Sequence, residues 1–584
     1  MPDIEVLVER YFARRTDNGG KGEKGETPPE QQSPEETRAN RVEAFVDGLA
    51  YFGAIEDEID GLLASSKPDR YFYLSAWWLG LVDVKGTVKV SSVGDNLTAI
   101  LKQFKDLSVD WTIDLDMDGF RLPKCKLMLL TRLQELVGKG VDVRVLAWSS
   151  PFAPKYKQVA DQASAIAHLN LQTLLSVAAL RKGSLDMAKR VVVNLLAHPF
   201  GGAHLKMVVC GDRDTMRAYT SGLDPAGGRL NPVPSQENAR TSGWHDVAVR
   251  VQGPGALAAY QFYQRLWNEQ ISRSADKFYV DGQEISSHAG AEKVPDGRLA
   301  AVPSNASQRV QVLRTVPQMN FSMTGPPQLG KNPLYRFLIS SIGGFKKPTI
   351  TFAREGLFEF KVALKKAIAG AQRYVFIADQ AFSGMEIMDW LNARLKANPN
   401  LKVILLHGAD PADPPSGAMA EAINKHLLPG LELDLTTMEP RGVAFYNWSG
   451  VVVHSKVTIV DDLWCAVGSA NCMRRSLYTD MELSVSVLDG DVPTFPQRLR
   501  RDLWARYCGI PLRGEPSFFS YDKELDDLLD LDKALGIWDN RWGARPSGVK
   551  LHKTVVPYVL PMIPRVPFSQ TNYDLEDPDS RMEF

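Results

Sequence analysis

VVVHSKVTIVDDLWCAVGSANCMRRSLYTDMELSVSV, residues 451 to 487, decides the fold. In a strand, residues two apart share a face, so His454 and Lys456 project into one cleft. Asp461 and Asp462 then form the turn of a hairpin whose return strand delivers Gly468, Ser469 and Asn471. The spacing is H-x-K-x4-D-x6-G-S-x-N. Nine histidines give a chance H-x-K-x4-D match on the order of a few times in a hundred chains of this length, and Gly-Ser-x-Asn at a fixed offset removes coincidence.

Upstream of that segment, FKVALKKAIAGAQ (residues 360–372) reads as a helix and RYVFIADQAF (373–382) as a strand. MDWLNARLKANPNLKVILLHG (388–408) reads as helix then strand. The same order occurs earlier. A helix-like run from about Asn40 to Leu63 precedes the apolar strand YFYLSAWWLGLV (71–82), and LMLLTRLQELVGKGVDVRVLAW (127–148) is helix, glycine stop and strand. Each copy ends on a strand with a His-x-Lys pair, His204 and Lys206 in the first, so the pattern predicts an internal duplication. We divide the chain into a flexible start (1–40), a first half (41–275), a connecting segment (276–348), a second half (349–515) and a tail (516–584). The start is marked by TDNGGKGEKGETPPEQQSPEETR (16–38), which cannot bury a core.

The HSK, IVDD, GSAN, RS and Asp480-Met481-Glu482 pieces of the opening segment resemble the C-terminal motif of phospholipase D enzymes. AHLKMVVCGDRDTMRAYTSGLDPAGGR (203–229) is a looser copy, and its Ser221-Gly222-Leu223-Asp224 resembles a Gly-Gly-Leu/Ile-Asp sequence of eukaryote-like members. WHDVAVRVQGPGALAAYQFYQRLWN (244–268) resembles their Trp-His-Asp and Gly-Pro stretch. The resemblance implies an α/β fold: two similar α/β/α sandwich halves with mixed sheets packed together. In one respect the first copy departs. The motif's aspartate is due at position 211, which is Gly211, and the acid follows as Asp212, a one-residue insertion that a turn over 210–214 absorbs.

Phosphodiester cleavage explains the need for two motifs. One imidazole attacks phosphorus and forms a phosphohistidine, which divides a difficult displacement into two easier ones. The other protonates the leaving alkoxide and then acts as base for the incoming water or alcohol. Lys206 and Lys456 place positive charge on the phosphoryl oxygens, with Ser469 and Asn471 adding hydrogen bonds. The resemblance implies His204 as nucleophile and His454 as acid, and a carboxylate holding each histidine, with Asp246 and Glu482 at the matching positions. Asp461 joins the catalytic set. Asp212, Asp224 and Gly468 are structural members of the motifs, and Gln380 and Phe382 are substrate contacts at a strand end. The scheme needs no metal and no cofactor.

Composition limits the alternatives. The chain is 44% hydrophobic and 23% charged, with 68 Lys+Arg against 69 Asp+Glu, so no strongly basic surface recommends nucleic acid as a partner. Five cysteines without CxxC spacing indicate neither a disulfide framework nor zinc, and Cys210 and Cys472 are expected to pack. Trp77 and Trp78 are expected in the core. No signal-peptide pattern and no membrane span is expected, which suits a cytoplasmic protein, or one exported without a cleavable signal, in peripheral contact with membranes. SSPFAPKY (149–156) is a candidate membrane-contacting loop. The leading expectation is a phospholipase D that hydrolyses glycerophospholipids to phosphatidic acid and a head group, with transfer to alcohols as a side reaction. Its rivals are a cardiolipin- or phosphatidylserine-synthase-like phosphatidyltransferase, a nuclease, and an inactive lipid-binding scaffold motivated by the shifted aspartate.

Overall fold

The computed structural model describes residues 3–13, 34–93, 111–149, 160–198, 201–230, 243–280, 283–288, 290–319, 349–408, 427, 442–512, 522–547, 549–553 and 555–557. The SSPFAPKY stretch beyond Ser149 lies outside them. The first half holds β1 (Glu36–Val46), β2 (Tyr71–Ala76), β3 (Val84–Val93), β4 (Trp111–Met117), β5 (Asp142–Trp148), β6 (Val191–Asn194), β7 (Met207–Gly211), β8 (Met216–Ser221), β9 (Gly243–His245) and β10 (Val247–Gln252). Then come β11 (Lys277–Val280), β12 (Gln283–Ser286), β13 (Gln308–Val316) and β14 (Leu357–Phe358). The second half holds β15 (Tyr374–Asp379), β16 (Lys402–His407), β17 (Val443–Trp448), β18 (Val451–Val453), β19 (Lys456–Val460), β20 (Trp464–Gly468) and β21 (Glu482–Leu488), with β22 (Val555–Pro557) from the tail.

The strands repeat one order. From its outer edge inward the first half runs β6-β5-β2-β7-β8-β10-β1, and the second, inside the added edge strand β22, runs β17-β16-β15-β19-β20-β21-β13. In both, the first three strands are mutually parallel and every later pairing is antiparallel. β1 pairs with β13 and joins the halves into one mixed sheet, so the duplication expected from the sequence is present strand by strand. Runs such as YVFIAD in β15 and VVVN in β6 are buried throughout, as suits strands covered on both faces.

Helices supply that cover. The helices Asp47–Ala64, Leu129–Gly138 and Ala160–Lys182 lie on the first half, and Glu359–Gly370 and Met385–Ala397 on the second. On the other side Pro254–Ile271 and Phe495–Tyr507 share a central core with both halves, which holds Val209, Val249, Ile459 and Leu483. The halves meet closely enough for the Thr220 hydroxyl to donate to the Leu483 carbonyl at 3.0 Å.

Three expectations about the ends of elements are corrected. The first 40 residues are not one flexible region: the amphipathic residues ahead of the 16–38 linker form the helix Ile4–Tyr11, which buries Leu7, Val8 and Tyr11 in the second half's core because its apolar residues fall on one stripe. Glu36 to Val46 form a strand before the helix begins at Asp47, so the run from Asn40 is not all helix; pairing with β10 outweighs a mixed local pattern. The connecting segment, expected to be a surface connection with occasional strands, contributes β13, which lies between β1 and β21 at the centre of the sheet and not on the surface.

Candidate active site

β7 begins directly after the first His-x-Lys pair and β19 begins at Lys456 itself, so His204, Lys206 and His454 stand ahead of the strands rather than on them, beside the carboxyl ends of β2 and β15: Ser75 pairs with Met207 and Asp379 with Lys456. Two short parallel pairings then cross between the halves. Val453 lies opposite His245 in the β18–β9 pair, and Ala203 bridges Met481. In a parallel register the next residues along both chains are also neighbours. Those next residues are His454 with Asp246, and His204 with Glu482.

The side chains complete the crossing. His454 Nδ1 lies 2.7 Å from Asp246 Oδ2, and His204 Nδ1 lies 3.1 and 3.2 Å from the two Glu482 oxygens. Each imidazole is therefore held by a carboxylate from the other half, with Nδ1 engaged and Nε2 left for chemistry. Glu482 also accepts from the Ser469 and Ser476 hydroxyls, and Asp246 Oδ1 accepts from its neighbour, the Val247 N–H, at 2.7 Å. Gly222 backs Asp246; a Cβ there would come within 2.3 Å of Asp246 Oδ2, so any larger residue would displace the carboxylate. Gly468 likewise admits the close approach of β21, where a Cβ would meet the Leu483 carbonyl at 2.4 Å.

Lys206 and Lys456 each donate to the carbonyl of their own motif histidine, and Lys206 lies 3.6 Å from Asp224. Asp224 ties down the chain after β2: its Oδ1 accepts the Trp77 and Trp78 N–H groups, both at 2.9 Å. In the second half Asp379 ties the strand end in a similar way, accepting from Ala381 and Cys472 N–H. Asn471 is buried, and its side-chain carbonyl oxygen has no partner among the described residues.

The electrostatics follow from burial. Both imidazoles are held well below the usual histidine range, by desolvation first and then by repulsion, from Lys206 and Lys456 at His204 and from Lys456, Arg229 and Lys206 at His454. The repulsions reach across the halves, since Lys456 acts on His204, and Lys206 and His204 act on His454. Burial pushes Asp246 and Glu482 up to about 7 and Asp379 up to about 6, and brings Lys456 down to about 8. The arrangement can pass protons near neutral pH and receive a phosphoryl anion between cationic groups.

Some expected members lie elsewhere. Asp461 is not in the cleft: it sits with Asp462 in the positive-φ turn between β19 and β20, at the far end of the strand from Lys456. Its carboxylate accepts the N–H groups of Gln372, Arg373 and Tyr374 at 2.6, 2.7 and 2.8 Å and the Tyr11 hydroxyl at 2.7 Å. With its oxygens so engaged it is an anchor and no catalytic group. Asp212 caps the corresponding β7–β8 turn, accepting from Asp214 and Thr215 N–H at 2.9 Å. Phe382 is buried in the second half's core against the outer helices, which removes it as a substrate contact, while Gln380 is partly buried at the end of β15.

Other residues of the site were not expected from the sequence. Trp77 is half-buried rather than core, with its ring 5.6 Å from that of His204 and stacked on Trp148 at 5.7 Å. Trp244 stands 4.8 Å from the His454 ring and carries the Arg229 guanidinium on its face at 3.2 Å. Both tryptophans sit within motif-bearing stretches, but a strand-end aromatic is indistinguishable from a core one in a linear pattern. Ser476 belongs to the RS piece, yet only the fold brings it to Glu482. Cys210 and Cys472 are buried free thiols.

Residues 364–504 match the family model described as the phospholipase D-like domain of cardiolipin synthase. No curated protein matches the chain in sequence. Among solved structures, phosphatidylserine synthase of Haemophilus influenzae Rd KW20 superposes at 13% identity and a TM-score of 0.42, covering 85% of this chain and 92% of that one. Polyphosphate kinase from Porphyromonas gingivalis gives 10% identity and 0.37, covering 83% of this chain and 54% of its own. Nuc from Salmonella typhimurium, a phospholipase D family member, gives 17% and 0.19, covering 31% and 84%. Residues 364–504, which contain His454 and Lys456, carry a phospholipase D-like domain, and the first half repeats its strand order and its His-x-Lys pair.

Proposed function

We propose that this chain transfers the phosphatidyl group of a glycerophospholipid to an alcohol through a phosphohistidine. The observation that carries the reading is the crossed pair of carboxylate-held imidazoles. His204 Nε2 attacks phosphorus, the P–O bond to the departing alcohol breaks, and His454 supplies the proton that alkoxide needs. His454 then takes the proton of the acceptor hydroxyl, whose oxygen displaces His204 and forms the new P–O bond. Lys206 and Lys456 balance charge on the non-bridging oxygens, and Glu482 and Asp246 fix tautomer and orientation. Two things support an alcohol over water as acceptor: the matched domain is that of a synthase, and the reacting groups are buried, with His454 at 7% and Lys456 at 3% exposure.

Hydrolysis to phosphatidic acid is the second reading, favoured by the likeness of the stretches around Asp224 and Trp244 to phospholipase D enzymes. One assay separates them. Purified protein is given phosphatidylglycerol vesicles, labelled glycerol and, in parallel, DNA. Label entering the lipid, and its loss in His454→Ala, is the expected result. Phosphatidic acid formed at an unchanged rate whatever the glycerol concentration establishes hydrolysis. Cleavage of DNA alone, or lipid turnover that survives His454→Ala, overturns both.

A further inference from the structure

Arg229 follows the first motif and has no role in the chemistry so far. Its side chain is 5% exposed, and its Nε and Nη1 are buried with no acceptor among the described residues. A guanidinium presents five N–H donors and stays charged, so leaving the three on Nε and Nη1 unmet in the interior is costly unless a partner arrives. Two rings hold it meanwhile: Trp244 at 3.2 Å and Trp78 at 5.0 Å from Cζ. The Trp244 ring also lies 4.8 Å from that of His454, so the guanidinium carbon stands within about 8 Å of the imidazole centre. Its charge is felt there, since it is among the groups that keep a proton off His454, and it helps to hold Asp246 ionised.

We propose that Arg229 is a phosphate-binding residue of the site, supplying to the anionic phosphoryl group the forked N–H donors that neither motif lysine offers. Lys206 and Lys456 each spend a donor on a backbone carbonyl and present a point charge, whereas a guanidinium meets two phosphoryl oxygens at once. The aromatic pair fixes its plane before the anion enters. The assignment rests on the phosphoryl-transfer reading, but its test does not need a lipid.

Inorganic phosphate is titrated into the full chain and the melting temperature followed for wild type, Arg229→Gln and Arg229→Lys. Wild type is expected to be stabilised by phosphate. Arg229→Gln should melt at or above wild type without phosphate, because an unmet buried charge is gone, and should bind phosphate at least tenfold more weakly; Arg229→Lys should fall between. With phosphatidylglycerol, KM should rise and kcat fall in Arg229→Gln, for a joint loss of about 10²-fold. The assignment is overturned if wild type ignores phosphate, if Arg229→Gln keeps the full phosphate shift, or if both variants melt below wild type, which would make the arginine structural. An absence of lipid turnover in wild type alongside the expected phosphate result removes the lipid reading and leaves the anion site standing.

Discussion

The two halves agree closely where they touch the cleft and disagree where they do not. At each motif an imidazole precedes a strand, a lysine follows two positions later, and a carboxylate from the opposite half meets Nδ1. At the far end of the same strands the motif aspartate does different work. Asp461 ties the β19–β20 turn to the start of β15 and to the N-terminal helix, whereas Asp212 caps only its own turn and pairs loosely with Lys67 at 3.9 Å. A strand of five residues puts that turn about 16 Å from the lysine. The comparison teaches that the aspartate belongs to the scaffold. A one-residue shift in the first half then changes a turn and leaves the cleft as it is, which takes away the motive for reading the chain as an inactive scaffold.

Glu482→Gln and Asp246→Asn put the crossed pairs to the hardest test. An amide keeps the shape but offers an N–H toward Nδ1, or turns its oxygen there without charge, so the imidazole is no longer held in the reactive tautomer. Each substitution should lower turnover by about 10³- to 10⁴-fold, the size seen when the carboxylate of a hydrolase triad is made an amide. Single-turnover measurement would divide the loss between formation and breakdown of the phosphohistidine. If one variant stays within tenfold of wild type, the halves are not chemically equivalent and only one imidazole depends on its carboxylate.

A smaller effect is expected at the turns. Asp461→Ala removes the acceptor of three N–H groups and a hydroxyl, one of those N–H groups fully buried, and should cost about 3 kcal/mol. Asp212→Ala opens a turn where water can replace the cap, and about 1 kcal/mol is expected. Urea midpoints of the two variants measure the difference. Equal midpoints would erase the distinction drawn between the halves.

How much of this was legible in the sequence depends on whether the signal was local. The paired His-x-Lys motifs, the hairpin turn at Asp461-Asp462 and the alternation of helix and strand are spacing patterns and read correctly, but the strands start later than expected: His204 and Lys206 precede β7 and His454 precedes β19. The central place of β13 did not read from spacing, because a strand from the connecting segment gains it by pairing with β1 and β21, about 270 and 170 residues away along the chain. Phe382 and Trp77 were placed the wrong way round for the same reason: both stand just beyond a central strand, and only the packing of the outer helices buries one and leaves the other beside an imidazole. Asp461 looked catalytic because the motif lists it with residues that share a cleft, while strand geometry carries it to the opposite end. Arg229 gave no pattern at all, since its meaning lies in donors left unmet.

Titration gives the mildest way to sharpen the comparison. Burial raises Asp246 and Glu482 to about 7 while burial and the lysines depress the imidazoles, so each carboxylate–imidazole pair titrates as a unit and exchanges its proton near pH 7. The reaction needs the pairs in opposite states, one with a bare Nε2 to attack and one with a proton to give. Below about 7 both pairs hold the proton and no nucleophile is left; above it both have lost it and the leaving alkoxide goes unprotonated. A bell-shaped kcat/KM centred near pH 7 follows, falling toward tenfold per unit on each limb. In Asp246→Asn, His454 has only repelling lysines and Arg229 for company, so it gives up its proton at lower pH and the alkaline limb moves to the acid side. A limb that stays in place would mean that the proton for the leaving group comes from the His204–Glu482 pair, and that the two histidines trade the parts given to them here.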